Sequence, residues 1–206
     1  MGHYQYENSY SSEKAYFGSE PSRWIEPYLP SGDDIRVLDV GSGQGRNSIY
    51  LGRQGYNITA IDSSRAAIRD LRRTVQRDNL PITTACSNIN SYPLPQETYD
   101  VILAISVLCH LDPGTIHETG GRITRALRPG GLLIAEEFTP DDPGACEADN
   151  ASEFAPLIEN YFTPDDLQQL FVPLRTIHSQ VHTVKDTTHG GQHEHSLIRY
   201  VARREG

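Results

Sequence analysis

The stretch Val37-Leu-Asp-Val-Gly-Ser-Gly-Gln-Gly-Arg-Asn47 decides the reading of the whole chain. Arg36–Val40 is a short, mostly apolar run suited to a buried strand, and it ends directly on glycines at 41, 43 and 45. Without side chains the backbone there can turn tightly and approach a ligand closely, beside the N-terminus of the helix that follows. That helix, Asn47 to Gln54, stops at Gly55, which tolerates the left-handed conformation of a helix end. A dinucleotide fingerprint, GxGxxG, needs a third glycine at position 46. Arg46 stands there instead, which opposes the close helix–strand contact of a nicotinamide site and favours a ligand without a pyrophosphate.

Working outward, the same alternation continues. Asn57–Asp62 reads as a second strand, Ser64 to Asp78 as a second helix, Ile82–Cys86 as a third strand and Tyr99 to Val107 as a fourth. The fourth is almost continuously apolar, as expected of a central parallel strand buried on both faces. Ile116 to Leu127 reads as a helix ending at Pro129-Gly-Gly131, and Leu132–Phe138 as a fifth strand. Thr163 and Pro164 open a further helix with Asp165 and Asp166 in its first turn. The runs Arg175 to Lys185 and His195 to Arg203 then form a hairpin around Gly190-Gly191. The expectation is an α/β fold: a doubly wound, Rossmann-like, mostly parallel seven-stranded sheet closed by a C-terminal antiparallel hairpin. One domain is expected, with 1–32 as an N-terminal cap segment, 33–140 as the cofactor-binding core, and 141–206 as a substrate-side insertion and terminal hairpin.

Composition narrows the function. Among 206 residues, 18 Lys+Arg against 27 Asp+Glu leave a net charge of −9. That is a poor balance for gripping a phosphate backbone or an anionic membrane, so neither nucleic acid nor membrane is an expected partner. With 37% apolar and 22% charged residues the chain is globular rather than a disordered polyelectrolyte. Cys86, Cys109 and Cys146 are odd in number and form no CxxC pair, which argues against a disulfide framework and against thiolate zinc. The N-terminus lacks a basic start followed by an apolar stretch, and the longest apolar run, Val101 to Cys109, is far shorter than the about 20 residues of a membrane span. The expected location is the cytoplasm.

Asp62 ends the second strand, 21 residues after Gly41, where a carboxylate either accepts both ribose hydroxyls or caps the next helix; the neighbouring glycine loop favours the ribose. Arg46 either pairs with a carboxylate of the ligand or stays solvated. His110, just past the fourth strand, either takes a proton or packs and caps. Tyr16 and Trp24 could face a cation or simply fasten the N-terminal segment, the latter being favoured for Trp24. Five of eight histidines fall at 178, 182, 189, 193 and 195. His193 and His195 share a strand face and with His189 have metal-like spacing, but with no Cys or evident carboxylate to complete the set no metal is expected. An overhanging hairpin that brings a binding or basic group to the site is the other option. Cys109 and His110, adjacent on an expected strand, would point apart, leaving Cys109 as a small buried hydrophobe. Arg69, Arg72 and Arg73 read as a solvated helix face.

These motifs together resemble the class I S-adenosylmethionine-dependent methyltransferases from about Val37 to Phe138. Asp39, Gly41, Gly43 and Gly45 match the family's first motif, and Asp62 its second-strand acid. Ser87-Asn88-Ile89 stands where the family usually carries an adenine-side Asp, Ile105-Ser106-Val107 matches the donor-facing end of the fourth strand, and Leu127-Arg-Pro-Gly-Gly131 is a further signature. The resemblance implies S-adenosyl-L-methionine as cofactor, bound by Asp39, Gly41, Gly43, Gly45, Arg46, Asp62, Ser63, Asn88, Ile89 and Ile105. Gly43-Gln-Gly-Arg-Asn-Ser-Ile-Tyr-Leu51, Tyr16-Phe-Gly-Ser-Glu-Pro21 and Cys109-His-Leu111 are similar to the tellurite-resistance and thiopurine methyltransferase-like branch, which methylates soft chalcogen nucleophiles and carries a functional His or Arg near its last hairpin. The expected activity is methyl transfer to a small thiol or other chalcogen acceptor, with His110, His193 and His195 as candidate catalytic residues. Two other readings stand beside it: a donor-binding protein with other chemistry or no turnover, and a nicotinamide-dependent oxidoreductase, which Arg46 opposes.

Overall fold

The structure, a computed structural model, describes residues 2–12, 15–146, 157–187 and 193–206. Seven strands form one sheet: β1 (Arg36–Val40), β2 (Asn57–Asp62), β3 (Ile82–Cys86), β4 (Tyr99–Ile105), β5 (Leu127–Phe138), β6 (Arg175–Asp186) and β7 (His193–Arg203). Their order is β3-β2-β1-β4-β5-β7-β6. The first five run parallel, and β7 pairs antiparallel with both β5 and β6. The helices are α1 (Gly2–Ser12), α2 (Arg46–Arg53), α3 (Arg65–Asp78), α4 (Ile116–Ala126), α5 (Pro143–Cys146) and α6 (Pro164–Leu170). This is the doubly wound sheet with a terminal antiparallel hairpin that the strand–helix alternation predicts.

The central strands are apolar on both faces because each face carries its own core. Leu38 and Val40 of β1 join Ile102, Ala104 and Leu133 under Ile123 of α4 and Leu167 of α6. Val37, one residue out of phase, packs with Leu103 and Ile134 against Leu51 of α2, Leu71 of α3 and Ile25. Alternation at period two thus feeds two layers from one strand. Helix ends follow local chemistry. The Ser64 hydroxyl accepts from the Ala67 N–H at 3.1 Å to start α3, and Thr163 with Asp166 forms a reciprocal capping box on α6.

Three elements refine the sequence reading. The segment 2–12 is helical although it has no apolar stripe, and its seat on α3 is made by specific polar and aromatic contacts described below. The segment around Trp24 is a 3-10 turn, Arg23–Tyr28, with Trp24 packed on the second core layer. β5 begins at Leu127, five residues early, because Leu127 pairs with Tyr99 and a register shift absorbs Arg128-Pro-Gly-Gly131 before the ladder resumes at Val101.

The loop between β1 and α2 holds Gly41, Gly43 and Gly45 at φ of 67°, 54° and 89°. Gly45 is the N-cap of α2, and a Cβ there would lie 2.3 Å from Leu71 Cδ1 of α3. Gly45→Ala combines backbone strain with overpacking, and we expect it to lower unfolding free energy by about 1–3 kcal/mol in urea denaturation.

Candidate functional site

A cleft of about 1150 Å³ opens at the carboxyl ends of β1, β2, β3, β4 and β5. Ligands of open α/β sheets bind there, where strand order reverses between β1 and β4. Asp39, Gly41, Gly43, Gly45, Arg46, Asp62, Ser63, Asn88, Ile89 and Ile105 all line this one cleft. The Asp62 carboxylate is fixed by two backbone donors, Gly43 N–H to Oδ2 and Ser64 N–H to Oδ1, each at 2.8 Å. It therefore locks the glycine loop to the start of α3 while facing the cleft. Asp39 is buried and accepts from the Ser48 hydroxyl at 2.6 Å; burial pushes its carboxyl up to about 6, with the Ser48 bond pulling the other way. Arg46 donates to the Phe17 carbonyl at 3.3 Å, so it is neither free in solvent nor aimed away from the cleft. Asn88 closes a local turn by accepting from the Asn90 N–H at 2.9 Å.

The cleft has two features that fit an adenosyl sulfonium. Bare backbone at Gly43 leaves a space over the loop that the Tyr10 hydroxyl of the roof enters, 2.8 Å from where a Cβ would stand, so the loop takes close approach from above. The anchored Asp62 carboxylate sits beside that space, as a ribose diol requires. The volume exceeds the about 300–1,000 Å³ typical of a pocket for a single small molecule, which suits a donor and an acceptor side by side.

The roof of the cleft was not legible in the sequence. Tyr6 and Tyr10 of α1 and Phe17 line it as an aromatic group, with ring centroids 6.0 Å (Tyr6–Phe17) and 5.6 Å (Tyr10–Phe17) apart. Glu7 pins α1 in place: its carboxylate accepts from the Ser64 hydroxyl at 2.6 Å and from the Ala66 N–H at 3.1 Å, where the α3 dipole favours negative charge. Tyr16 and Trp24, the aromatics singled out from sequence, are not on the cleft wall. Tyr16 donates its N–H to Gln44 at 3.0 Å, and Trp24 lies against the core with the Arg199 guanidinium 5.1 Å from its ring centre.

His110 faces the cleft from a 3-10 turn, Leu108–His110, rather than from a strand. The turn is held by Glu137 of β5, whose carboxylate accepts from the N–H groups of Val107 (3.0 Å), Leu108 (2.8 Å) and Cys109 (3.2 Å). Complete burial pushes Glu137 up to about 7 against the pull of those donors. His110 Nδ1 lies 3.0 Å from the Leu157 carbonyl, which can only accept, so Nδ1 carries the hydrogen. Nε2 is then an acceptor and meets the Tyr6 hydroxyl at 2.9 Å. Burial holds His110 below the usual histidine range and raises Tyr6, so the pair is neutral, with Tyr6 donating. Cys109 is fully buried and burial pushes its thiol up, as befits a small hydrophobe.

At the far end of the cleft, β7 presents His195, Leu197 and Arg199. His195 Nδ1 donates to Asp142 at 3.0 Å, and Arg199 donates to Glu136 at 2.9 Å. His193 is not part of the wall but meets His195, Nε2 to Nε2, at 3.0 Å. His189 and Gly190-Gly191 lie outside the described residues. Glu136 and Arg199 escaped the sequence reading because only strand register brings them to the cleft, and Asp142 because it is placed there by its contacts with His195 and Ser196 of β7. Arg69 and Arg73 are exposed and lie near Asp70, consistent with a solvated helix face.

Residues 37–131 match the family model described as a methyltransferase domain. The "Probable S-adenosyl-L-methionine-dependent methyltransferase TehB" of Haemophilus influenzae (strain 10810) is 36% identical over 110 residues, which is 52% of this chain and 38% of that protein. The ubiquinone biosynthesis O-methyltransferase of Methylocella silvestris is 34% identical over 104 residues, 50% of this chain and 40% of that protein. The chain therefore spans about two fifths of the length of these relatives. The crystal structure of TehB from Haemophilus influenzae superposes with a TM-score of 0.68 at 25% identity, covering 84% of this chain and 58% of that one.

Glu137→Gln replaces one acceptor oxygen by an amide nitrogen facing an N–H donor. We expect a loss of about 1–3 kcal/mol in chemical denaturation, with residual structure lost first in the turn that carries His110, as read by amide hydrogen exchange.

Proposed function

We propose that this chain is a class I S-adenosylmethionine-dependent methyltransferase, which binds S-adenosyl-L-methionine and transfers its methyl group to a small thiol or other chalcogen acceptor. The observation that carries the proposal is the Asp62 carboxylate, locked by the Gly43 and Ser64 N–H groups beside bare glycine backbone, in the same cleft as His110 Nε2. Asp62 would hold the ribose, Gly41, Gly43 and Gly45 would let the donor lie against the backbone, and Ser63, Asn88 and Ile89 would border the adenine. Asp39, Arg46 and Ile105 would complete the donor's half of the cleft. Residues 1–32 serve as a cap in this reading, with Tyr6, Tyr10 and Phe17 closing the roof.

The donor supplies an electrophilic methyl carbon on a cationic sulfur. The chain's own contribution is alignment and exclusion of water, since in-line displacement depends on holding the reacting atoms at close range. His110 would take the acceptor's proton at Nε2, the atom that the Leu157 carbonyl leaves without hydrogen; an acceptor entering there displaces the Tyr6 hydroxyl. His195, fixed by Asp142 and met by His193 from behind the wall, would seat the acceptor at the opposite end. A soft chalcogen acceptor is favoured by the resemblance of residues 43–51 to the tellurite-resistance and thiopurine methyltransferase-like branch, and the chain's charge of −9 disfavours a polyanionic one.

Two measurements test this reading. Calorimetry with S-adenosylmethionine and S-adenosylhomocysteine should give saturable binding that Asp62→Ala weakens by about 10- to 100-fold, the equivalent of losing a charged hydrogen-bond acceptor; unchanged affinity would remove the ribose assignment. Release of S-adenosylhomocysteine across thiols, selenols, tellurite, phenols, amines and tRNA then identifies the acceptor class. His110 is uncharged above its lowered pKa and protonated beneath it. With an acceptor that must lose a proton, kcat/KM should therefore be flat near neutrality and fall only well into the acid range, below the usual histidine value. His110→Gln should abolish that acid limb.

A further inference from the structure

The hairpin register places a third ligand beside the two histidines. In the β6–β7 pairing Asp186 lies directly opposite His193, and His195 follows two residues on, on the same strand face. Asp186, His193 and His195 each bring one ligating atom to within 4.8 Å of the others. The two Nε2 atoms are 3.0 Å apart with their rings nearly perpendicular, at 88°. Imidazoles bound to one ion at about 2.0–2.1 Å, and about 90–110° apart, have their nitrogens about 3.0–3.4 Å from one another. The arrangement also has an outer support: buried Asp142 holds His195 Nδ1 at 3.0 Å and is itself held by the Ser196 N–H at 2.9 Å and the Gly144 N–H at 2.8 Å. A carboxylate that fixes the tautomer of a histidine and aims its other nitrogen at the ion is the usual partner of a metal ligand.

We propose that Asp186, His193 and His195 bind a divalent first-row transition ion of the zinc type at the acceptor end of the cleft. Two imidazoles and one carboxylate suit such an ion and leave coordination positions open. Asp186 and His195 both line the cleft, so an open position faces the space where an acceptor would lie. There a chalcogen acceptor can ligate through its soft atom; this last role rests on the methyl-transfer reading, whereas metal binding itself does not. The sequence suggested no metal because Glu194, between the two histidines on the strand, points to the opposite face and Asp186 is seven residues away from His193 along the chain; the register brings Asp186 beside them.

The test is titration of the untagged, chelator-stripped full chain with Zn2+ by calorimetry and with Co2+ by visible absorption. One saturating equivalent is expected. His193→Ala and Asp186→Asn should each weaken it at least tenfold, and Asp142→Asn by about 10- to 100-fold, with melting temperatures confirming that each variant is folded. Failure of the wild type to saturate at one equivalent, or equal affinity in folded His193→Ala and Asp186→Asn, overturns the proposal. S-adenosylhomocysteine affinity measured on the same samples keeps the two readings apart: donor binding without metal binding sinks this one alone, and metal binding without donor binding sinks the methyl-transfer reading alone.

Discussion

Two backbone N–H groups converge on the Asp62 carboxylate, and the β1–β2 half of the cleft is organised around that contact. Gly43 belongs to the β1–α2 loop and Ser64 to the start of α3, so one side chain ties two crossover connections together. The tie is possible because β1 and β2 are parallel neighbours in register, Val40 beside Ile61, with Ser42 N–H continuing the ladder to the Ile61 carbonyl at 3.0 Å. Glycine is needed at 43 because of its positive φ and because Tyr10 closes down over it. Change the register by one residue and the carboxylate would face the core.

That half of the molecule was legible in the sequence because its determinants are local. A glycine loop, the strand before it and the acid at the end of the next strand lie within 27 residues, Arg36 to Asp62. Apolar runs such as Val101–Ile105 announce buried parallel strands on their own. What stayed hidden depends on distant partners. α1 has no apolar face, and its place is set by Glu7 reaching the N-terminus of α3 and by Tyr6 reaching His110. The early start of β5 depends on Tyr99, and the turn carrying His110 depends on Glu137, neither of which has a periodic signal. Asp186 could be placed beside His193 only by knowing the hairpin register.

The two ends of the cleft are thus built on different principles. The β1–β2 end uses backbone donors on short connections whose geometry the parallel sheet imposes. The β5–β7 end uses side chains from antiparallel strands and from the segment around Asp142, held by side-chain pairs such as His195–Asp142 and Arg199–Glu136. Substitutions at those side chains leave the sheet ladder intact, so that end can change its chemistry without disturbing the glycine-loop end.

Charge on the cleft wall carries the argument one step further. Among its described residues, carboxylates number six (Asp39, Asp62, Glu136, Asp142, Glu159, Asp186) and cationic side chains four (Arg46, Arg65, Lys185, Arg199). Two of the acids are matched within the wall or its support, Glu136 by Arg199 and Asp142 by His195 with two backbone donors. Asp62, held by the Gly43 and Ser64 N–H groups, and Asp39, held by the Ser48 hydroxyl, lie at the β1–β2 end near Arg46, under an aromatic roof whose ring faces are themselves electron-rich. Such a surface attracts a compact cation and releases it more readily once its charge is lost, which is the electrostatic change that separates a sulfonium from a thioether. An extended polyanion would meet the opposite field, from the wall and from the chain's charge of −9 alike.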